Sequence, residues 1–354
     1  MLPLSSPPQS ICILRLSALG DVCNLVPSVR AIQKHWPRTS ITWILGQAEY
    51  TLLEGLSGVE LIPYDKKTGL AGMWRLRQQL KGRQFDVLLH MQQAIRASLL
   101  AKLAISAPIW LGYDSARAKD KQDWFCNHHL PPHPKAHVLE SFLDFAYALG
   151  VPETPLCWDI PINEAAEREA FSWQPQTTEY VLISPCSTQR TRNFRNWSAS
   201  GYAQVIEYLY HKYGLVTVLT GGRTVQETEY AQSIRHAVST PLINAVGQTS
   251  LKALLALIRD ARLVIAPDSG PVHMATAMQT PVVGLYATTN PQRAAPYLAQ
   301  PWVVNKYPHA VQTYLNTQVE AVTWGQRVRH PQAMNLIQVE DVIARLDALI
   351  QHTA

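Results

Sequence analysis

Short apolar runs and segments of helical periodicity alternate along almost the whole chain. The run SICILRL predicts a strand, and the spacing of apolar residues over 22–35 predicts a helix after it. Strand-like ITWILG and ELIPYD come next, then a helical segment before FDVLLHM and another before IWLGYD. A clear amphipathic helix, HVLESFLDFAYALG, closes this half of the chain on Gly150, a residue typical of helix C-termini.

The same alternation restarts in the second half, after a proline-rich stretch that contains one short helical segment. Its strand-like runs are YVLISP, LVTVLTG, LINAVG, RLVIAP and PVVGLYA. These runs are short, β-branched and not alternating, as expected of parallel strands covered on both faces. The pattern predicts an α/β protein with two doubly wound, Rossmann-like domains in tandem, with ligands at the carboxyl ends of the strands.

Composition shifts give the expected domain boundaries. Residues 1–10 have no basic segment ahead of the apolar run, so they form a disordered leader and not a signal peptide. The first α/β domain is predicted over 11–160, a linker over 161–179 and the second domain over 180–335. A final helix within 336–354 can pack back onto the first domain.

The bulk composition is that of an ordinary globular protein, with 47% hydrophobic and 16% charged residues in 354. A formal charge of +5 is too small to indicate nucleic acid, but it suits an anionic substrate or membrane surface. The five cysteines are scattered, as in a reduced, cytoplasmic protein. No uncharged stretch approaches the roughly 18 apolar residues that span a bilayer.

A carboxylate stands at the first strand-to-helix turn, in ILRLSALGDVCNLVPSVRAI. Asp21 follows Gly20 where the helical pattern starts, and two interpretations are open. It caps the helix by accepting hydrogen bonds from free backbone amides, or it faces a cleft and removes a proton from a substrate.

The segment RLVIAPDSGPVHMATAM in the second domain predicts an anion site. A strand ends there, Asp268, Ser269 and Gly270 form a turn, and His273 lies in the first helical turn. Gly270 lets a ligand approach the backbone, and free amides at a helix N-terminus attract negative charge. The alternative is an ordinary capped helix in which His273 is a packing residue.

Two further loops follow predicted strands of this domain. ISPCSTQRTRNFRNWS is rich in hydroxyl and guanidinium groups, among them Thr188 and Arg195, which could hold a diphosphate. LTGGRTVQETEYA places Glu227 after a Gly-Gly pair, where a carboxylate could accept the hydroxyls of a ribose. A solvated basic loop and a surface glutamate are the alternatives.

The first domain offers basic and amide groups after its own strands. The candidates there are Lys66, Lys67, Gln92, Arg96 and Arg117, with Trp74 among further basic residues. Such groups suit an anionic, sugar-bearing or lipid-borne ligand, and a solvated helix face is the alternative. The chain has no Gly-X-Gly-X-X-Gly fingerprint, no P-loop and no metal-ligand spacing of Cys and His, so nothing indicates a dinucleotide oxidoreductase, an NTPase or a metal site.

Taken together and in this order, the motifs resemble those of the bacterial lipopolysaccharide heptosyltransferases, ADP-heptose-using glycosyltransferases of family 9 and GT-B type. The resemblance covers residues 11–297. It is carried by Ser-Ala-Leu-Gly-Asp at 17–21 and Asp-Ser-Gly-Pro-Val-His at 268–273, with Gln92 and Arg96 after the third long strand.

This resemblance implies two domains facing across a cleft, with the acceptor on the first and the nucleotide sugar on the second. It makes Asp21 the catalytic base of an inverting transfer from ADP-heptose to a Kdo-lipid A type acceptor, with neither metal nor cofactor. The implied donor contacts are Gly20, Thr188, Arg195, Glu227, Asp268, Ser269, Gly270 and His273. The resemblance supports Gln92 and Arg96 as acceptor contacts, and Lys66, Lys67 and Arg117 are expected to join them because of their charge.

The chain departs from the family pattern twice, with Arg-Asn-Trp-Ser at 195–198 for Lys-X-Trp-Pro and Ala-Thr-Thr-Asn-Pro at 287–291 for Gly-Pro-Thr-Asp-Pro. These changes bear on the donor, so two alternatives stay open: a GT-B transferase or epimerase that uses a UDP-sugar, and a non-catalytic nucleotide-sugar or glycan-binding protein. The expected location is cytoplasmic, in peripheral contact with the inner membrane.

Overall fold

A computed structural model describes residues 2–176, 179–187 and 194–353. The chain divides into two compact units, Met1–Pro161 and Ile162–Ala354. This division falls next to the boundary at 160 that the change in composition indicates. Each unit has its own parallel sheet and hydrophobic core, which confirms the prediction of two doubly wound α/β domains.

The first unit follows the predicted alternation of strands and helices. Its elements are β1 (Ser10–Leu14), α1 (Leu19–His35), β2 (Ser40–Gly46), α2 (Gln47–Leu53), β3 (Val59–Tyr64), α3 (Gly69–Gln79), β4 (Val87–His90), α4 (Ile95–Ala104), β5 (Ile109–Gly112), β6 (His128–His129) and α5 (Val138–Leu149).

The six strands described in this unit lie in the order β3-β2-β1-β4-β5-β6, and the paired strands are parallel. Apolar residues of β1 and β4 are fully buried because helices cover both faces of the sheet. The chain order reverses between β1 and β4, so the loops after these two strands diverge there. Such a switch point is where doubly wound folds bind ligands.

Residues of the expected leader make backbone contacts with this unit. The Leu4 N–H donates to the carbonyl of Leu149, at 3.0 Å, and the Ser40 N–H donates to that of Gln9, at 2.9 Å. The prolines and serines of this stretch carry no periodic pattern, so these contacts were not predictable from the sequence.

The second unit begins with a helix from the expected linker. Its elements are α6 (Glu164–Phe171), β7 (Tyr180–Ile183), α7 (Ala199–Tyr213), β8 (Val216–Leu219), α8 (Val225–Ala237), β9 (Leu242–Asn244), α9 (Leu251–Asp260), β10 (Leu263–Pro267), α10 (Gly270–Ala277), β11 (Val282–Tyr286), α11 (Pro291–Ala294), β12 (Val304–Asn305), α12 (Tyr307–Leu315) and α13 (Val339–Thr353).

The described strands of the second sheet lie in the order β12-β11-β10-β7-β8-β9, which is the topology of the first sheet repeated. Its switch point lies between β7 and β10. Helix α6 packs against α9, so this part of the expected linker belongs structurally to the second unit.

The last helix, α13, is built into the core of the second unit. Val342, Leu346 and Leu349 are buried with residues of α7 and β11. A polar contact adds to this packing, because the carboxylate of Asp347 accepts hydrogen bonds from the hydroxyl groups of Tyr208 and Tyr213, at 2.7 Å each. None of the helices in the described part of the chain is both long and apolar enough to cross a membrane.

A buried polar network lies beneath the switch point of the first sheet. The ring of His90 contacts the Ser98 hydroxyl, at 2.9 Å, and the side-chain amide of Gln122, at 3.3 Å. Gln122 also donates to the His90 carbonyl, at 2.7 Å, so it links the loop after β5 to β4. Burial lowers the pKa of His90 to about 4, and its imidazole is therefore neutral in the folded protein.

We predict that His90 makes the stability of the first unit depend on pH. Because the unfolded histidine titrates near 6.5 and the folded one near 4, the unfolded state binds more protons between these values. The contribution of neutral, buried His90 to the free energy of unfolding is complete above pH 6.5. It declines as the pH falls from 6.5 to 4. Urea unfolding should show wild type losing about 2 kcal/mol more than His90→Gln between pH 7 and pH 5.

His236→Gln changes an exposed histidine of the second unit and serves as the control. It should retain the pH dependence of the wild type. If His90→Gln retained it as well, His90 would not be the titrating group.

Candidate functional site

The predicted base, Asp21, lies in the first turn of α1 at the carboxyl edge of the first sheet. The helix begins at Leu19 with Ala18 as its N-cap, so Asp21 is the third helical residue and not the cap itself. Its carboxylate accepts a hydrogen bond from the Ala18 N–H, at 2.8 Å, while the side chain keeps some exposure to solvent. Gly20 is buried in the same turn. Asp21 thus has a capping role and also presents an oxygen-bearing group at the ligand-binding edge.

Arg15 holds the carboxylate of Asp21 from the side of the sheet. One guanidinium nitrogen donates to Asp21, at 2.5 Å, and the other to the carbonyl of Met91, at 2.7 Å. The guanidinium also lies over the ring of Phe142, 5.1 Å from its centroid. The sequence signal for Arg15 is a basic residue within an otherwise apolar strand pattern.

The peptide groups of Leu16 fix the loop between β1 and Asp21. The Leu16 N–H donates to the side-chain carbonyl of Gln92, at 3.0 Å, and its carbonyl accepts from the Gly46 N–H, at 3.1 Å. The bond to Gln92 spans the switch point, because Gln92 follows β4. The side chain of Gln92 therefore positions the loop that carries the predicted base.

A second carboxyl group, Glu49, lies close to this loop and was missed in the sequence. It is 7% exposed in the first turn of α2. A Cβ on Gly46 would lie 2.3 Å from the Glu49 Oε2 and 2.5 Å from the Leu16 carbonyl, so glycine is required where these groups meet. Burial raises the pKa of Glu49, a shift that Asp21 reinforces and the charge of Lys66 opposes.

Three of the predicted acceptor contacts are exposed near the same edge. Lys66 and Lys67 lie in a short 3₁₀ turn directly after β3, and the Asp65 carboxylate caps this turn by accepting from the Lys67 N–H, at 2.9 Å. Arg96 is the second residue of α4, which follows β4. The charge of Lys66 acts to lower the pKa of Glu49, so this ammonium lies within electrostatic reach of the second carboxyl group.

Arg117, by contrast, is engaged by acidic side chains within the unit. Its guanidinium forms ion pairs with Asp114 and Asp144, and donates to the carbonyl of Pro131, at 3.0 Å. The pairs are largely buried, and they tie the loop after β5 to α5. Arg117 therefore has a structural role in this arrangement, where the sequence predicted an acceptor contact.

In the second unit, Arg195 and Asp268 meet across the switch point. Arg195 follows β7 and donates to both the backbone carbonyl and the carboxylate of Asp268, at 2.9 and 3.1 Å. The hydroxyl of Thr289, after β11, donates to the same carboxylate, at 2.8 Å. The buried Asp268 carboxylate therefore gathers groups from three loops, a connection that the separate motifs did not reveal.

Helix α10 begins at Gly270, within the stretch where the sequence predicted a turn over 268–270. Its N-cap, Ser269, does not use its hydroxyl as a cap but donates it to the carbonyl of Pro267, at 3.1 Å. Gly270 opens the helix, and His273 is buried in its first turn. The amides of this turn lie at the carboxyl edge of β10, where a helix N-terminus favours an anion.

The loop from β7 to α7 is anchored at its end by Trp197. Its indole N–H donates to the carbonyl of Ile337, at 2.9 Å, and its ring packs edge-on against Tyr202. Ser198 caps α7 by accepting from the Gly201 N–H, at 3.0 Å, so the departure from the family's proline supplies a cap. The predicted contact Thr188 lies outside the described residues, as do Arg190 and Arg192.

Glu227 closes the Gly-Gly turn after β8. Its carboxylate accepts from the Gly222 N–H, at 3.0 Å, and from the hydroxyl of Thr224, at 2.6 Å. Thr224 in turn caps α8 by accepting from the Glu227 N–H. This reciprocal pair holds the carboxylate at the edge of the sheet, one strand away from the loop that carries Arg195.

The arrangement provides two kinds of chemistry. The first unit presents an oriented carboxylate that can accept a proton, with cationic side chains nearby. The second presents a guanidinium and a helix N-terminus that can bind a phosphate group. In the described part of the chain, no group of three or more His, Cys, Asp or Glu side chains is arranged to hold a metal ion.

Comparison with known proteins agrees with this chemistry. The family model described as "Glycosyltransferase family 9 (heptosyltransferase)" matches residues 73–321. The "Lipopolysaccharide core heptosyltransferase OpsX" of Haemophilus influenzae is 38% identical over 342 residues, which cover 97% of each chain.

Solved structures show the same fold over both units. The E. coli ADP-heptose lipopolysaccharide heptosyltransferase II gives a TM-score of 0.73 at 20% identity, covering 98% of this chain and 100% of that one. The E. coli heptosyltransferase WaaC with ADP gives 0.71 at 17% identity, covering 96% and 99%. These likenesses confirm the predicted GT-B fold class.

We predict that Arg15 contributes to the stability of the first unit through its bonds to Asp21 and Met91. Arg15→Met keeps an unbranched aliphatic side chain but removes both bonds and the guanidinium over the Phe142 ring. Urea unfolding should show a loss of roughly 1.5–3 kcal/mol, the range for hydrogen bonds to charged groups. Arg38→Met, at an exposed position of the same unit, should change the free energy of unfolding by less than about 0.5 kcal/mol. Equal losses in the two variants would contradict the prediction.

Proposed function

The chain belongs to glycosyltransferase family 9 and is a heptosyltransferase of the lipopolysaccharide core, and from this premise we propose that it transfers heptose from ADP-heptose to a Kdo-lipid A type acceptor with inversion. The observation that carries the proposal is the Asp21 carboxylate, held by Arg15 and the Ala18 N–H at the carboxyl edge of the first sheet. A protein that only bound glycans would not need an oriented proton acceptor there.

In the proposed reaction, Asp21 takes the proton of an acceptor hydroxyl. The hydroxyl oxygen forms a bond to the anomeric carbon of heptose as the bond from this carbon to the ADP oxygen breaks on the opposite face. The electron pair of the broken bond leaves with ADP. General-base assistance of this kind contributes on the order of 10²–10⁴ in rate. One displacement requires one base, and Arg15 holds that base in position through its hydrogen bond to the carboxylate.

We place the donor on the second unit, at the switch point between β7 and β10. Arg195 and the amides of Ser269 and Gly270 would bind the diphosphate, and Asp268 positions Arg195 for this contact. His273 lies in the same helical turn, and Thr188 is proposed as a further phosphate contact. Glu227 would accept the ribose hydroxyls of the adenosine. The solved E. coli WaaC structures contain ADP and ADP-2-deoxy-2-fluoro heptose, which supports an ADP-linked donor.

We place the acceptor on the first unit. Lys66, Lys67 and Arg96 are exposed close to the edge that carries Asp21, so they can contact the anionic groups of a Kdo-bearing acceptor. Gln92 contributes indirectly, because its side chain holds the loop that carries Asp21. Arg117 has a structural role, because its guanidinium is paired with two aspartates. The protein would reach an acceptor with lipid chains by binding peripherally to the cytoplasmic face of the inner membrane.

The leaving diphosphate is stabilised in this scheme by protein groups and needs neither a metal ion nor a cofactor. A guanidinium and preorganised backbone amides can each lower the barrier by about 3 kcal/mol when they face the developing charge. The alternatives are a UDP-sugar donor, for a transferase or an epimerase, and simple binding. One experiment separates them: incubation with the acceptor and either ADP-heptose or UDP-sugars, with the product mass and anomeric configuration measured.

We predict that Asp21→Asn lowers turnover by at least ~10²-fold, because the amide cannot accept the proton. The amide oxygen still accepts from Arg15 and the Ala18 N–H, so the variant should fold. Turnover is measured with saturating ADP-heptose, and circular dichroism checks folding. Asp123→Asn, at an exposed position of the same unit, is the matched control and should retain wild-type turnover. Near-normal turnover of Asp21→Asn would remove the base from the scheme.

We predict that Arg195→Ala weakens ADP binding by ~10–150-fold, which corresponds to 1.5–3 kcal/mol for a hydrogen bond to a charged group. Isothermal titration with ADP measures the change. Arg235→Ala removes an exposed arginine in the last turn of α8 and should leave ADP affinity unchanged.

Experiments on the wild-type protein with EDTA test the role of metal ions. If the diphosphate is bound by protein groups, EDTA should leave both ADP affinity and transfer unchanged. Activity that EDTA abolished and Mg²⁺ restored would contradict this part of the scheme.

A further inference from the structure

Large apolar side chains are exposed in a cluster at the carboxyl edge of the first sheet. Leu70 is 81% exposed and Trp74 54% in α3, while Ile95 is 40% exposed and Leu99 50% in α4. Trp124, 72% exposed, lies in the connection between β5 and β6. Single exposed apolar residues are common on proteins, but several on adjoining elements indicate an interaction surface.

The two helices pack against each other, and each exposes one pair of apolar side chains. Leu70 and Trp74 are four residues apart, as are Ile95 and Leu99, so each pair lies on one helix face. The opposite faces of α3 and α4 pack together over the sheet, through buried Leu76 and Leu100 among others. Since helices of a parallel sheet begin where the strands end, all four exposed residues lie in helix halves close to the edge that carries Asp21.

Positive charge is concentrated in the same segment. Residues 65–104 contain eight Lys or Arg and two Asp, a net charge of +6, whereas the whole chain has +5. The remainder of the chain is therefore close to neutral, with a net charge of −1. Lys66 and Lys67 precede the exposed face of α3, and the Arg77 guanidinium lies 5.4 Å from the centre of the Trp74 ring.

We propose that an anionic lipid bilayer docks on this surface, which we call the docking surface and define by Lys66, Lys67, Leu70, Trp74, Ile95 and Leu99. The proposal rests on the proposed function, which requires a lipid-borne acceptor. The four apolar side chains enter the boundary between head groups and acyl chains, and the two lysines contact anionic head groups. Tryptophan flanked by cations is typical of this boundary.

The composition of the surface favours lipid over an acidic protein. A protein partner would bury directional polar groups, whereas here the apolar residues are helix-spaced and the charges are flexible lysines and arginines of one sign. Cations near a membrane attract anionic lipid, and the attraction is screened by salt. The docking surface adjoins the edge that carries Asp21, so an acceptor anchored in the bilayer would enter the site from the membrane.

The test uses the full-length protein and vesicles without substrate. Co-sedimentation is measured with vesicles of phosphatidylglycerol and phosphatidylethanolamine, and with phosphatidylcholine vesicles alone. Wild type should bind the anionic vesicles, and Leu70→Ser/Trp74→Ser should reduce the affinity by at least ~10-fold. Phe171→Ser/Leu298→Ser removes two similarly exposed residues of the second unit, and this matched control should bind as wild type.

Lysine variants test the electrostatic part. Lys66→Gln/Lys67→Gln should weaken vesicle binding at low salt and make it less dependent on salt concentration. The proposal is overturned if wild type fails to bind anionic vesicles, if it binds phosphatidylcholine equally well, or if the Leu70/Trp74 variant binds like wild type.

A deacylated, water-soluble acceptor separates this proposal from the proposed function. Leu70→Ser/Trp74→Ser should transfer heptose to that acceptor at the wild-type rate, but with at least ~10-fold higher apparent KM for an acceptor embedded in anionic vesicles. Equal losses on both acceptors would overturn docking. Vesicle binding with the expected variant pattern but no transfer by wild type would support docking and reject the proposed function.

Discussion

A parallel sheet covered on both faces confines polar chemistry to its edges, and both units of this protein are built around that constraint. Strands such as β1, β4 and β10 are buried along their lengths, so charged side chains are placed where the strands end. The reversal of strand order then separates two neighbouring loops in each unit. In the first unit, Gln92 joins these loops through the Leu16 N–H, and in the second Arg195 joins them through Asp268.

The sequence predicted most of the secondary structure because buried strands and amphipathic helices leave strong periodic signals. It missed β6 and β12, each two residues long, because so short a strand exists only through pairing with its neighbour. It also missed α12, whose Pro and His residues obscure the helical pattern. The start of α1 at Leu19 was unpredictable for a similar reason, since the bond from the Ala18 N–H to Asp21 sets it.

The sequence predicted which residue types form the candidate site better than it predicted the hydrogen bonds and ion pairs between them. Asp268 and Arg195 each stood out in a motif, but their ion pair joins residues 73 positions apart. Arg117 looked available for an anion because Asp144, one of its two partners, lies on a distant helix. Glu49 carried no motif, and its importance comes from burial against Gly46. The sequence shows directly which side chains are charged. Whether an opposite charge pairs with them depends on tertiary contacts that the sequence does not show.

The bond from Trp197 to the carbonyl of Ile337 has a consequence for how the protein is made. It links the loop after β7 to a residue two positions before the last helix, 140 positions later, and α13 completes the core of the second unit. During synthesis the first unit, which ends at Pro161, leaves the ribosome first and can fold as a unit before the second is complete. The core of the second unit includes α13, so a product truncated before this helix would carry a complete first unit beside an incomplete second unit.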